Sequence, residues 1–238
     1  MKGLILHDIS ENYGIFRKDY GKMDVEGELE KSQDNEFSWG KNVSLSLIDT
    51  IVYANQRPGA FVPSAGLSVI LWLEALKQKK DGHSEVLIRD FENYWLRTMT
   101  VIRFPVHAGD GYIVHYPSVR DDILARKDGK IDGQIILPIK PDDIPGYGIN
   151  VPLDTPCRFF DALLGDGIGP IFSESVKKRF GFIPSVWIPP KACLQESPER
   201  LVIFGGLLQY GQGIWLTSNS QDKTLVGTRP FRLVYNLD

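Results

Sequence analysis

Apolar residues are densest between Phe61 and Gly82, FVPSAGLSVILWLEALKQKKDG, where a nearly continuous block of them ends in a cationic turn. Ser64 stands where a hydroxyl can accept a bond from a free N–H of a first helical turn. Leu67, Val69, Ile70, Leu71, Trp72, Leu73 and Leu76 then cover more than one side of a helix, so the pattern predicts a buried central helix at about 64–80, packed on several faces. Lys77, Lys79 and Lys80 meet the negative end of its dipole, and Gly82 can close it in the left-handed conformation. Gly66 costs the first turn about 1 kcal/mol against alanine unless another element comes close to it. The segment reads as a core helix before it reads as a partner-binding one.

Elsewhere the runs are shorter. Leu4, Ile5, Leu6, Ile9, Ile15 and Phe16 suggest a first strand, broken at Asn12 and Gly14. Lys22 to Asn35, KMDVEGELEKSQDN, is acidic and almost without apolar residues, and reads as a solvated loop. In VSLSLIDTIVYAN a strand period and a helix period compete, and Ser44 as a cap tips residues 44–54 toward helix. Ser84 opens SEVLIRDFENYWLR, with Leu87, Phe91, Tyr94 and Trp95 on its apolar face and Arg89, Asp90, Glu92 and Asn93 on its polar one. The segment TMTVIRFPVH-AGDG-YIVHYP predicts a hairpin turning at Asp110-Gly111. Pro105 cannot donate to a ladder, which puts its strand at an edge or gives it a bulge. A short charged helix at Ser118–Lys127 and a strand within Lys130–Lys140 follow.

Thr155 and Pro156 predict a helix start, with the proline at the first helical position, Phe159, Phe160, Leu163 and Leu164 on the buried side and Gly165 at the end. In FSESVKKRFGF a second helix is expected, capped by Ser173 and closed by Gly181. IPSVWIP, RLVIFGGLL, GIWLTS, TLVG and PFRLVYNL read as strands. The expected class is α+β: a mixed, mainly antiparallel sheet with a buried central helix and several short helices. The expected organisation is one compact unit: an N-terminal α+β region at 1–140 with the central helix and hairpin, a Pro/Gly-rich connection at 141–156, and a strand-rich region at 155–238.

Composition changes this picture little. The 238 residues are 42% hydrophobic and 24% charged, an ordinary globular balance. A net charge of −3 supplies no general pull toward nucleic acid or anionic membrane. No run approaches the ~20 apolar residues that span a bilayer, and the apolar start is too short for a secretory signal. The 2 cysteines, Cys157 and Cys193, fit no metal spacing or disulfide framework, so neither cofactor nor metal is expected and the cytoplasm is the default location.

Candidate chemistry centres on His107, Asp110 and His115 in the hairpin, where two imidazoles could ligate a metal or move protons near neutral pH. Strand parity opposes that. Across a two- or four-residue turn His107 faces with Tyr112 and Val114, while His115 faces the other side with Ile102, Phe104, Val106 and Ile113. An odd-length loop would bring the two rings together. LGDGIGP resembles a phosphate loop only superficially, because a helix precedes it and Pro170 interrupts it, although backbone amides near Ser173 and Ser175 could hold an anion. Cys157 is placed in a first helical turn, where a thiolate is favoured electrostatically, but with no partner histidine it reads as a buried structural cysteine. The acidic pairs Asp121-Asp122 and Asp142-Asp143 point apart. No HExxH, CxxC, GxSxG or Walker A pattern occurs.

Trp187, Tyr210 and Trp215 lie on successive C-terminal strands in this reading and would form a recognition patch if they share an exposed face. The leading expectation is therefore a non-enzymatic binding or assembly protein, an inhibitor, adaptor or structural component, with another protein or a second copy of itself as partner. A hydrolytic enzyme using His107, Asp110 and His115 is the alternative. Nucleic-acid contact through Lys177, Lys178 and Arg179 is a second, although those cations also suit the end of a helix dipole.

Overall fold

The computed structural model describes residues 4–5, 63–77, 88–89, 91–93, 95–106, 111–116, 135–210, 213–216 and 234–235. The class is α+β. Among the described residues, strands β1 (Leu4–Ile5), β2 (Trp95–Arg103), β3 (Gly111–His115), β4 (Ile135–Ile139), β5 (Ile149–Pro152), β6 (Ser185–Ile188), β7 (Glu199–Gly205), β8 (Gly213–Leu216) and β9 (Val234–Tyr235) are interspersed with five α-helices of fully described extent. These are α1 (Ala65–Lys77), α2 (Arg158–Leu164), α3 (Ile168–Phe180), α4 (Lys191–Glu196) and α5 (Leu207–Tyr210). A five-stranded antiparallel sheet runs β4-β3-β2-β7-β8, and β5-β6 and β1-β9 form two-stranded pairs. The expected elements at 22–35, 44–54 and 118–127 lie outside the described residues.

Helix α1 is the central helix that the sequence announces, and Leu71, Trp72, Val69 and Ala75 on it are fully buried. Ser64 caps it: its Oγ accepts the Leu67 N–H at 3.3 Å. A helix start leaves further N–H groups unpartnered. The one on Ala65 donates to Thr100 Oγ1, 2.9 Å away on β2. Gly66 is the point of closest approach, since a Cβ there would stand 2.3 Å from the Leu164 carbonyl oxygen at the end of α2. The close neighbour that would justify this glycine is therefore present.

The hairpin β2–β3 is in register Ile102↔Ile113 and Thr100↔His115. Of the two alternatives for its strand β2, an edge or a bulge, the structure has the bulge: β2 sits between β3 and β7 and ends at Arg103, before Pro105. The irregularity lies earlier, where Arg97 faces Ile203 and Val101 faces Leu201, so that three residues of β2 stand against Val202 alone. There the Thr98 hydroxyl donates to the Val202 carbonyl at 2.6 Å, and the Met99 N–H donates to Pro63 at 2.9 Å. The bulge thus ties the sheet to the residues that enter α1.

Three helix boundaries differ from the sequence reading. The segment after Ser84 is helical at 88–89 and 91–93, but Trp95 already belongs to β2, because pairing with β7 overrides the helical period. Helix α2 begins at Arg158 with Cys157 as its N-cap, so Pro156 precedes the helix. Helix α3 begins at Ile168, with Gly167 as its left-handed N-cap at φ 70°, rather than at Ser173. Pro170 falls within its first turn, where proline is tolerated because that N–H has no intrahelical partner. Both ends of α3 use glycine, Gly181 at φ 82° closing it. One apolar cluster joins α1, the core face of the sheet, α2, α3 and the β5-β6 pair, including Ile144, Val151 and Leu153 from the connection at 141–156.

Candidate functional site

Among the described residues a half-open groove of about 760 Å³ lies between α1 and α3. Helical spacing builds it. On α3, Gly169, Phe172, Ser173 and Val176 are buried, which turns Ile168, Ile171, Ser175 and Lys178 to the side. On α1 the buried positions leave Ile70, Leu73, Glu74, Leu76 and Lys77 facing them. Ile171 is 53% exposed although it stands in an apolar wall. The apolar belt around α1 therefore serves two purposes: one part is core, and Ile70, Leu73 and Leu76 are half-buried wall.

At one end stand Lys77, Lys178 and Arg179. Lys77 is bonded to Glu74. Arg179 is held from below by Glu92, with Nε to Oε1 at 2.6 Å and Nη2 to Oε2 at 3.0 Å. Glu92 is only 4% exposed, so the side chain that the helical period put on a polar face is instead a buried counter-ion. A bidentate pair of this kind is strong in geometry and expensive to break. Of the three cations considered for nucleic acid, Lys177 and Lys178 are exposed on α3, and Arg179 is committed to Glu92.

His115 lies on β3 beside Thr100, on the face that also carries Ile102 and Ile113. Both ring nitrogens are engaged: Nδ1 lies 2.9 Å from Thr100 Oγ1 and Nε2 lies 2.9 Å from the Ala162 carbonyl on α2. A carbonyl only accepts, so Nε2 carries the proton. Nδ1 then accepts from the Thr100 hydroxyl, whose oxygen in turn accepts from Ala65. This three-bond relay pins α1 and α2 to the sheet. Burial lowers the His115 pKa, against a smaller upward pull from Ala162, and keeps the ring neutral. His107 and Asp110 lie outside the described residues.

Trp187 is half-buried on β6, directed away from the core that Val186 and Ile188 enter. Trp215 pairs with Ile203 across β7–β8 and is 39% exposed, also on the side away from the core. Their strands are neighbours. Tyr210 is not on a strand: it ends α5, where the chain turns between β7 and β8. At Cys157 burial raises the pKa more than the nearby α2 amides lower it. Ser173 is buried within α3 and the Ser175 hydroxyl donates to the Ile171 carbonyl, so neither stands at a helix start able to hold an anion. Among the described residues no group of three His, Cys, Asp or Glu side chains could hold a metal ion, and no helix is long and apolar enough to cross a membrane.

Sequence reasoning missed the groove, because its two walls come from segments that are about a hundred residues apart. A faint signal existed in Ile171, which falls off the buried spacing of α3. Comparison of the chain with family models, with curated proteins and with solved structures finds no match.

Proposed function

We propose that this chain is a non-enzymatic binding or assembly protein, an inhibitor, adaptor or structural component, that docks another protein in the groove between α1 and α3. The observation that carries this reading is the lining: Ile70, Leu73, Leu76, Ile168 and Ile171 line a concavity of about 760 Å³ with Ile171 left 53% exposed. A grouped apolar surface open to water is costly unless a partner covers it, and troughs between helices recur as peptide-docking sites. Trp187 and Trp215 offer a second surface of rigid aromatics on the β6/β8 side. The hydrolytic alternative draws less support, since His115 spends both nitrogens on Thr100 and Ala162.

The test is pull-down and size-exclusion chromatography of the chain beside its Ile171→Asp, Trp187→Ala and Trp215→Ala variants. Ile171→Asp should abolish the complex while circular dichroism stays unchanged. Unaltered assembly of a folded Ile171→Asp protein would remove the groove from consideration, and loss with the tryptophan variants alone would move the interface to the aromatic side.

A further inference from the structure

Resting on the reading of the groove as a protein-docking site, we infer that its occupant is an amphipathic helix of a partner protein, carrying carboxylates beside its apolar stripe. The two walls run in the same direction. Gly66, in the first turn of α1, lies against Leu164 just ahead of α3, and Trp72 at mid-helix meets the Phe172 ring edge-on with centroids 5.5 Å apart. The last turns of both helices therefore fall at the same end of the groove, where Lys77, Lys178 and Arg179 gather, while Ile70 and Ile168 line the other end. Lys178 is exposed and has no acidic partner among the described residues, and Lys177 adds another exposed cation on the same turn. The groove is apolar at one end; at the other Lys77 is bonded to Glu74, which lines the groove too, and Arg179 to Glu92, so Lys178 is the groove-lining cation without an acidic partner among the described residues.

Its shape selects among ligands. From Ile168 to Lys178 the α3 wall spans ten residues, or ~15 Å of helix axis at 1.5 Å per residue. That length suits three turns of helix, whose side chains at i, i+3 or i+4, and i+7 would meet Ile168, Ile171, Leu73 and Leu76 in succession. The trough is half-open along its length, which accommodates a helix better than it encloses a small amphiphile. Carboxylates flanking the stripe near one end would then come over Lys178, and the charge would fix the direction in which the helix lies.

The test uses three stapled, fluorescein-labelled peptides of ~15 residues. They share one apolar stripe and differ only in flanks of Glu, Gln or Lys. Fluorescence anisotropy is read against the full chain and against its Ile171→Asp and Lys178→Glu variants. Lys178 is expected to contribute up to about fivefold in affinity, so at low salt the Glu peptide should bind up to about fivefold tighter than the Gln peptide and the Lys peptide weaker than both. Lys178→Glu should erase most of that gap, and Ile171→Asp should abolish binding of all three. Equal binding by the three peptides overturns the acidic helix and leaves the docking reading standing. So does capture of another chain by a photo-crosslinker at position 171 when no peptide binds. Crosslinks from 171 only within its own chain, or tight binding of dodecanoate without any peptide binding, overturn both.

Discussion

Thr100 links three elements through one hydroxyl, and Thr100→Val, which keeps the branched shape, isolates that chemistry. The hydroxyl oxygen accepts the Ala65 N–H at 2.9 Å, its O–H donates to His115 Nδ1 at 2.9 Å, and Thr100 is fully buried. Valine leaves a first-turn N–H of α1 without an acceptor inside the core, which costs about 1–3 kcal/mol, and removes a second bond worth about 1 kcal/mol net. The expected loss is about 2–4 kcal/mol out of the ~5–15 kcal/mol that holds a typical domain folded. Urea unfolding followed by circular dichroism should show the midpoint falling with the slope unchanged. Nitrogen-15 histidine spectra of the unmutated protein should place the His115 proton on Nε2. A loss under about 0.5 kcal/mol, the range of a neutral surface change, would refute the relay, and so would a proton found on Nδ1.

The same relay sets a pH dependence. His115 titrates below its ordinary 6.5 in the folded chain, so its full stabilising contribution is present above pH 6.5 and is lost as pH falls from there through the lowered native value; His115→Gln should flatten that part of a stability-versus-pH curve. Gly66→Ala would stabilise an exposed helix by up to about 1 kcal/mol. Here its Cβ would stand 2.3 Å from the Leu164 oxygen, so the sign reverses and a loss of about 1–3 kcal/mol is expected in thermal unfolding. Arg179→Met strips the partner from buried Glu92; because the arginine side chain is 30% exposed, the cost is set at about 2 kcal/mol rather than the 3–5 of a fully buried pair.

What the sequence made legible follows from how local each signal was. The apolar block, the Ser64 cap and the lysine at its end marked α1 because all three act within one helix. Likewise Phe159, Phe160, Leu163 and Leu164 marked the buried side of α2. Period-2 alternation put His115 on the face of Ile102 and Ile113, but its acceptor on Ala162 is 47 residues away and left no trace in the pattern. Glu92 was misplaced for the same reason. A helical wheel assigns it to solvent, and only Arg179, 87 residues later, makes its burial tolerable. At Trp95, where the helical period was expected to continue, partnership with β7 decided the outcome. The groove depends on two helices meeting in parallel, which no single window of sequence contains.

The most direct test of the docking account places a benzophenone amino acid at position 171, in the groove, and in a second variant at position 149, where Ile149 is 47% exposed on β5 away from the groove. Both are irradiated in the native host. The account predicts a covalent product with another polypeptide from position 171 and none from position 149. Equal products from both positions, or none from 171, would contradict it.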